Sequence, residues 1–168
     1  VGVGSACLYT DPRRAARAFS AAARLAGTVQ NRWVEGMALT GLVTALRRAG
    51  FSEPAGFTGT IVGAGATARS AVAAMHELGA GLVHLLARRP EAAGPARSTA
   101  DHLGIRLEVH PFPQTRFLDV PLVVSTVPAG AADALAGSVP ANPGWLLDVV
   151  YTPWPTVVAG AWAQGGGR

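Results

Sequence analysis

The sequence predicts an α/β fold, in which helices cover both faces of a parallel β-sheet. From residue 59 onward, short and nearly continuous apolar runs alternate with segments of helical period, a pattern typical of strands that are buried on both faces. The first run ends in a glycine turn that leads directly into an alanine-rich segment. Right-handed crossovers between such strands give a three-layer, doubly wound parallel sheet, the Rossmann NAD(P)-binding fold.

Composition indicates one folded domain. The chain has 168 residues, of which 49% are hydrophobic and 14% charged, values that suit a well-buried sheet rather than a disordered chain. We expect the Rossmann domain to occupy 36–168 and to follow an N-terminal appendage of uncertain structure over 1–35. Because the chain begins with Val1 rather than Met and ends in Gly-Gly-Gly-Arg, we also expect a processed, excised or partly ordered piece of a longer protein.

Charge and cysteine content narrow the classes of partner. The net charge of +4 comes from scattered arginines, without any lysine. These arginines do not form a basic run interleaved with aromatic residues, so the sequence does not predict nucleic-acid binding. No apolar stretch reaches the ~18 residues of a membrane span. The single cysteine, Cys7, excludes an internal disulfide and favours the reducing cytoplasm. The sequence does not decide whether the chain forms a homodimer.

The first fifty residues predict a strand and two helices. The strand covers 1–9, and the first helix runs from Asp11 to Gly27, with Asp11 as its N-cap. Residues 28–35 are expected to be extended or irregular. Apolar residues at helical spacing from Leu39 to Leu46 predict the second helix, which Gly50 ends.

The remainder predicts five strands and three helices. The second of these helices is expected to start late or to be kinked at Pro95, and no helix is expected before the fourth strand. The strands are predicted at 59–63, 82–87, 105–110, 122–125 and 145–151, and the helices at 65–78, 90–103 and 156–164.

The turn Gly63-Ala64-Gly65 is the first candidate functional feature. Gly63 permits a tight turn after the strand, and Gly65 allows the backbone to approach a bound phosphate. The N–H groups at the start of the following helix suit the pyrophosphate of a dinucleotide. Ala68 takes the third, small position of the pattern G-x-G-x-x-G/A.

The end of the second strand distinguishes the two nicotinamide dinucleotides. An acidic residue there would bind the ribose 2′-hydroxyl of NAD, but this chain has Ala87-Arg88-Arg89, with Arg88 lying 25 positions after Gly63. Guanidinium groups bind phosphate through paired hydrogen bonds. We therefore predict NADP rather than NAD as the cofactor. The alternative is a pair of exposed loop arginines.

Four segments together resemble the nucleotide domain of the shikimate dehydrogenase family. Residues 63–69 (GAGATAR) resemble its GAGG-x-A-R turn, and 87–89 (ARR) take the place of its N-R-T NADP clasp. Residues 125–130 (STVPAG) resemble N-A-T-P-x-G. Residues 148–156 (DVVYTPWPT) resemble D-x-x-Y-x-P-x-x-T, the most specific of the four patterns. The resemblance covers about residues 40–165.

The resemblance implies an NADP-dependent oxidoreductase that reduces 3-dehydroshikimate to shikimate with NADPH, on the chorismate pathway to aromatic amino acids. Tyr151 would face the substrate, and Asp148 is interpreted as a structural capping carboxylate. The cofactor-binding residues that it implies are Gly63, Ala64, Gly65, Ala66 and Thr67 at the pyrophosphate, Arg88 and Arg89 at the 2′-phosphate, and Val127 and Val149 at the nicotinamide.

The sequence departs from the family at its proton-transfer groups. The family uses a lysine and an aspartate, whereas this chain has no lysine and carries Ala38 at the aspartate position. The substrate domain that normally precedes this region is missing or replaced by a short unrelated segment. The chain is therefore either part of a longer enzyme or a catalytically inactive NADP-binding module; catalytic residues stay unknown. Another Rossmann enzyme, such as a folate-linked dehydrogenase or an aminoacyl-tRNA reductase, is a third alternative.

The histidines do not show metal-ligand spacing. His76, His84, His102 and His110 fall on four separate predicted elements, so we interpret them as core or surface residues and predict no metal site. Ser125 lacks the G-x-S-x-G setting of a nucleophile.

Overall fold

The computed structural model describes residues 32–150 and 152–168, with side chains described from residue 39 onward. Short 3-10 helices lie at Pro90–Ala93, Thr115–Leu118 and Asp133–Ser138. The regular elements are α1 (Arg32–Ala49), β1 (Thr58–Val62), α2 (Ala66–Glu77), β2 (Leu82–Ala87), α3 (Gly94–Leu103), β3 (Arg106–Pro111), β4 (Leu122–Ser125), β5 (Trp145–Asp148) and α4 (Val157–Gln164).

The five strands form one parallel sheet in the order β3-β2-β1-β4-β5. Val62 at the end of β1 pairs with Leu86 on one side and with Ser125 on the other. The carboxyl ends of these three strands therefore meet at one edge of the sheet. The chain order reverses at β1, because β2 lies on one side of it and β4 on the other, and a crevice outside such a switch point is where open α/β sheets bind ligands.

One face of the sheet packs against α1, α2 and α3. Ile61 and Leu85 point to this face and are fully buried. The helices contribute Leu46, Val72 and Met75 to the same apolar cluster. Since successive side chains of a strand alternate between faces, the neighbouring strand residues point the other way.

The opposite face is covered by α4 and by the 3-10 helices that precede β4 and β5. Val62 and Leu86 form a second apolar cluster there with Leu118 and Trp162. The indole Nε1 of Trp162 also donates a hydrogen bond to the carbonyl oxygen of Gly144, at 2.9 Å. The two clusters complete a three-layer arrangement.

The fold class predicted from the sequence is confirmed, and three details of the prediction are wrong. Residues 32–35 belong to α1 rather than to an extended segment, β5 ends at Asp148, and a 3-10 helix precedes β4 where no helix was expected. The predicted strand over 1–9 and the helix ending at Gly27 lie outside the described residues, and the domain boundary at 35/36 stays a prediction. No helix within the described ranges combines the length and the hydropathy that a membrane span requires.

Two glycines provide a matched test of this packing. A Cβ on Gly144 would lie 2.7 Å from the carbonyl oxygen of Val120 and would also overlap that of Pro121, whereas a Cβ on Gly160 within α4 would contact nothing within 4 Å. We expect Gly144→Ala to lower the free energy of unfolding by about 1–3 kcal/mol through overpacking. Gly160→Ala should raise it by about 0.5–1 kcal/mol, because alanine favours helices.

Chemical denaturation of the parent chain and both variants measures the two changes. A Gly144→Ala variant as stable as the parent would contradict the close packing of the segment before β5.

Candidate functional site

The turn after β1 is held by close backbone packing. Gly63 has a φ of 105°, a conformation that side-chain-bearing residues rarely adopt. A Cβ at this position would lie 2.7 Å from Cγ1 of Val127 and 2.8 Å from Oγ1 of Thr126. The Gly63 N–H donates to the carbonyl oxygen of Leu86 at 2.8 Å, and the Thr126 N–H donates to that of Val62, also at 2.8 Å. Only glycine fits this turn.

Gly65 is the N-cap of α2 and lies open to the cleft beside it. Its backbone is extended, and no side chain caps the helix start. A Cβ on Gly65 would contact nothing within 4 Å. Because the first N–H groups of a helix have no intrahelical partner, the start of α2 offers donors and the positive end of the helix dipole to an anion. Ala68 is fully buried one turn further on, where its small side chain permits close packing.

A cleft of about 240 Å³ lies at the carboxyl ends of β1, β2 and β4. Its walls combine the glycine turn, the end of β2 with its two arginines, and the loop after β4. It is lined by Gly63, Ala64, Gly65, Leu86, Ala87, Arg88, Arg89, Ala92, Phe112, Thr126, Val127, Pro128 and Ala131.

Both arginines of the cleft are available to a ligand. The side chains of Arg88 and Arg89 are exposed, and neither guanidinium forms an ion pair or hydrogen bond within the described part of the chain. The backbone carbonyl oxygen of Arg89 accepts a hydrogen bond from the Ala92 N–H at 2.9 Å, which fixes the turn after β2. The cleft therefore presents two positive groups at one end.

The other residues predicted for the site have different positions. Ala66 and Thr67 are the first residues of α2 and do not line the cleft itself. Val149 directly follows β5, donates its N–H to the Ser125 carbonyl oxygen at 3.1 Å, and packs at the edge of the helix-covered core. Tyr151 lies outside the described residues, so its role toward a substrate stays a prediction. Ala38 lies within α1, and its side chain is outside the described part.

Asp148 organises the segment between β5 and α4. Its Oδ1 accepts the Val150 N–H at 3.0 Å, and its Oδ2 accepts the Thr156 hydroxyl at 2.8 Å. Thr156 Oγ1 in turn accepts the Ala159 N–H at 3.2 Å and caps α4. Burial raises the pKa of Asp148 above its usual value, although these two hydrogen bonds act in the opposite direction. The carboxylate is thus a structural tie between a strand end and a helix start.

Sequence reasoning missed several apolar residues of the cleft, of which Phe112 is the largest. Phe112 follows β3, and its N–H donates to the Ala87 carbonyl oxygen at 3.0 Å. Residues just after parallel strands line the crevice of this fold, so the position after the third strand carried a usable signal.

Known proteins similar to the chain include an AROM polypeptide and shikimate dehydrogenases. The chain is 32% identical over 133 residues to the pentafunctional AROM polypeptide of Schizosaccharomyces japonicus, a match that covers 69% of this chain and 8% of that polypeptide. The solved shikimate dehydrogenase of Mycobacterium tuberculosis has a TM-score of 0.66 at 30% identity, covering 78% of this chain and 47% of the enzyme. The shikimate 5-dehydrogenase of Mycobacterium fortuitum has a TM-score of 0.63 at 33% identity, covering 77% and 47%.

A more distant structure shows the fold alone. The quinate dehydrogenase of Corynebacterium glutamicum, solved in complex with NAD, has a TM-score of 0.66 at 18% identity, covering 77% of this chain and 49% of that protein. No protein-family profile matches the chain.

The similarity is confined to part of each relative. The chain spans about half the length of the solved dehydrogenases and a small fraction of the AROM polypeptide. Within that half, the fold agrees and 30–33% of the residues are identical. The chain belongs to the shikimate dehydrogenase family and corresponds to the C-terminal part of its members.

Proposed function

We propose that the chain is the NADP-binding domain of a shikimate dehydrogenase-like oxidoreductase that reduces 3-dehydroshikimate to shikimate on the chorismate pathway in the cytoplasm. The observation that carries the proposal is the cleft at the strand ends. It combines a turn that only glycine fits with a helix N-terminus and two exposed guanidiniums. A phosphate-rich nucleotide requires this combination.

Each part of the cleft suits a different part of NADP. The N–H groups at the start of α2 would bind the pyrophosphate, with Gly65 allowing its close approach. Arg88 and Arg89 would pair with the 2′-phosphate, which NAD lacks. A quinate dehydrogenase of similar fold was solved with NAD, so the fold alone does not select NADP. The proposal of NADP for this chain therefore rests on the two arginines.

The apolar end of the cleft suits the nicotinamide. Val127 and Pro128 line this end and follow β4, and Val149 would lie beyond them after β5. The reduced cofactor, NADPH, would supply the hydride when bound. The role of these side chains is to orient the ring and to exclude water from it, while Tyr151 would contact the small-molecule substrate.

A second candidate function is a catalytically inactive NADP-binding module. The sequence contains no lysine and has Ala38 where the family has its aspartate. Proton transfer from a positioned side chain typically contributes 10²–10⁴-fold to rate. Both candidates predict that the chain binds NADP, and turnover by the chain itself would exclude the inactive module.

The choice of dinucleotide can be tested at the two arginines. We expect the Arg88→Ala and Arg89→Ala double variant to bind NADPH about tenfold or more weakly, because charge-assisted hydrogen bonds contribute about 1.5–3 kcal/mol. NADH affinity should change little. Fluorescence titration with each dinucleotide measures both, and Arg97→Ala, an exposed arginine of α3 that does not line the cleft, is the control. Tighter binding of NADH than of NADPH by the parent chain would refute the proposal.

The glycine turn gives a second test. Gly65→Ala should weaken binding of NADPH and NADH alike, by about tenfold, because the added methyl group occupies the space the phosphates approach. The melting temperature should not change, since that methyl group would contact nothing within 4 Å.

Gly94→Ala, at the start of α3 and equally uncrowded, is the matched control and should leave dinucleotide binding intact. Unchanged affinity in Gly65→Ala would place the phosphates elsewhere.

Catalysis by the 168-residue chain can be assayed directly. We expect it to bind NADPH but to show no steady-state turnover with shikimate and NADP, because it lacks the family's proton-transfer pair. Monitoring NADPH absorbance measures this. Robust turnover would eliminate the inactive module and would require another base.

A further inference from the structure

Three potential metal ligands meet where β2 and β3 pair. His84 on β2 lies opposite Glu108 on β3 in the parallel register. Glu108 and His110 are two residues apart on one strand and therefore share a face of the sheet. This is the face that α4 and the 3-10 helices cover. Sequence spacing gave no sign of the contact, because the two histidines are 26 positions apart.

The ligand atoms of this cluster have the spacing that a small divalent cation requires. Nδ1 of His84 lies 3.1 Å from Nε2 of His110. Oε2 of Glu108 lies 3.6 Å from the former nitrogen and 3.8 Å from the latter. The point equidistant from all three atoms is about 2.0 Å from each, which matches zinc–nitrogen and zinc–oxygen bonds of about 2.0–2.2 Å.

Neighbouring side chains hold the three ligands in place. The Phe117 ring stacks on His110 with a centroid separation of 3.9 Å and lies 4.4 Å from His84. Arg106 pairs with the other carboxylate oxygen of Glu108, which leaves Oε2 toward the histidines. Outer groups that orient ligands in this way are characteristic of metal sites.

The two histidines are partly buried and lie close to one another. Burial lowers the pKa of His84, and the neighbouring His110 lowers it further. Burial likewise lowers the pKa of His110. Solvent still reaches the cluster, because 12–33% of each side chain is exposed.

We propose that His84, Glu108 and His110 bind one zinc ion, with water as the fourth ligand. Two imidazoles and a carboxylate are a donor set that suits Zn²⁺. None of the three residues lines the cleft at the strand ends, so the zinc site is independent of the proposed dinucleotide function. The ion would tie the edge strand β3 to β2, and its binding would stabilise the folded state.

The test uses the tag-free, metal-stripped 168-residue chain in a Cys7→Ser background, which removes the single thiol as a competing ligand. Calorimetric titration with ZnCl₂ should give one site per chain, and saturating Zn²⁺ should raise the melting temperature. Co²⁺ should give the visible absorption of a tetrahedral site. In His110→Gln and Glu108→Gln, Zn²⁺ affinity should fall at least tenfold.

The exposed histidines outside the cluster provide matched controls. His76→Gln on α2 and His102→Gln on α3 should leave the affinity and the thermal shift intact. Circular dichroism of each metal-free variant checks folding. Because Glu108→Gln retains the shape of the side chain, its Zn²⁺ affinity tests the proposal even if a histidine variant unfolds. Absence of stoichiometric binding, or equal loss in the control variants, would overturn the proposal.

Discussion

The close contact between the turn at Gly63 and the loop after β4 is the constraint on which the site depends. The two segments are joined by the Thr126–Val62 hydrogen bond, and they approach so closely that Val127 leaves no room for a Cβ at Gly63. Because the strands are parallel and in register, this contact brings three strand ends together. The start of α2, the loop after β4 and the arginines after β2 then surround one cleft, although they are far apart in the chain.

The two faces of the sheet have different chemistry. The face under α1, α2 and α3 is apolar along its length, whereas the opposite face carries a polar row that runs from Thr60 through His84 to Glu108. Thr60 is fully buried and satisfies its hydroxyl by donating to the Phe117 carbonyl oxygen at 2.5 Å. At the β3 edge, the 3-10 helix that contains Phe117 leaves His84, Glu108 and His110 only partly covered. This accounts for a polar cluster within an otherwise apolar domain.

The chain shares the fold of shikimate dehydrogenases over about half of their length. Within this part, the hydrogen bond between Asp148 and Thr156 closes the segment before α4. The 168 residues contain no lysine, and Ala38 stands at the position where the resemblance implies the family's aspartate. The turn at one wall of the cleft depends on backbone geometry and on small residues, so its shape does not require either of those reactive side chains.

The sequence by itself determined the fold class, the order of the strands along the chain, the glycine turn and the two arginines of the cleft. These features depend on local patterns: apolar runs, helical periods and glycine at a position where φ is positive. The tertiary structure alone decided which strands are neighbours, and with them the contact between His84 and His110. Such contacts come from strand pairing across tens of residues, and no spacing within one segment encodes them.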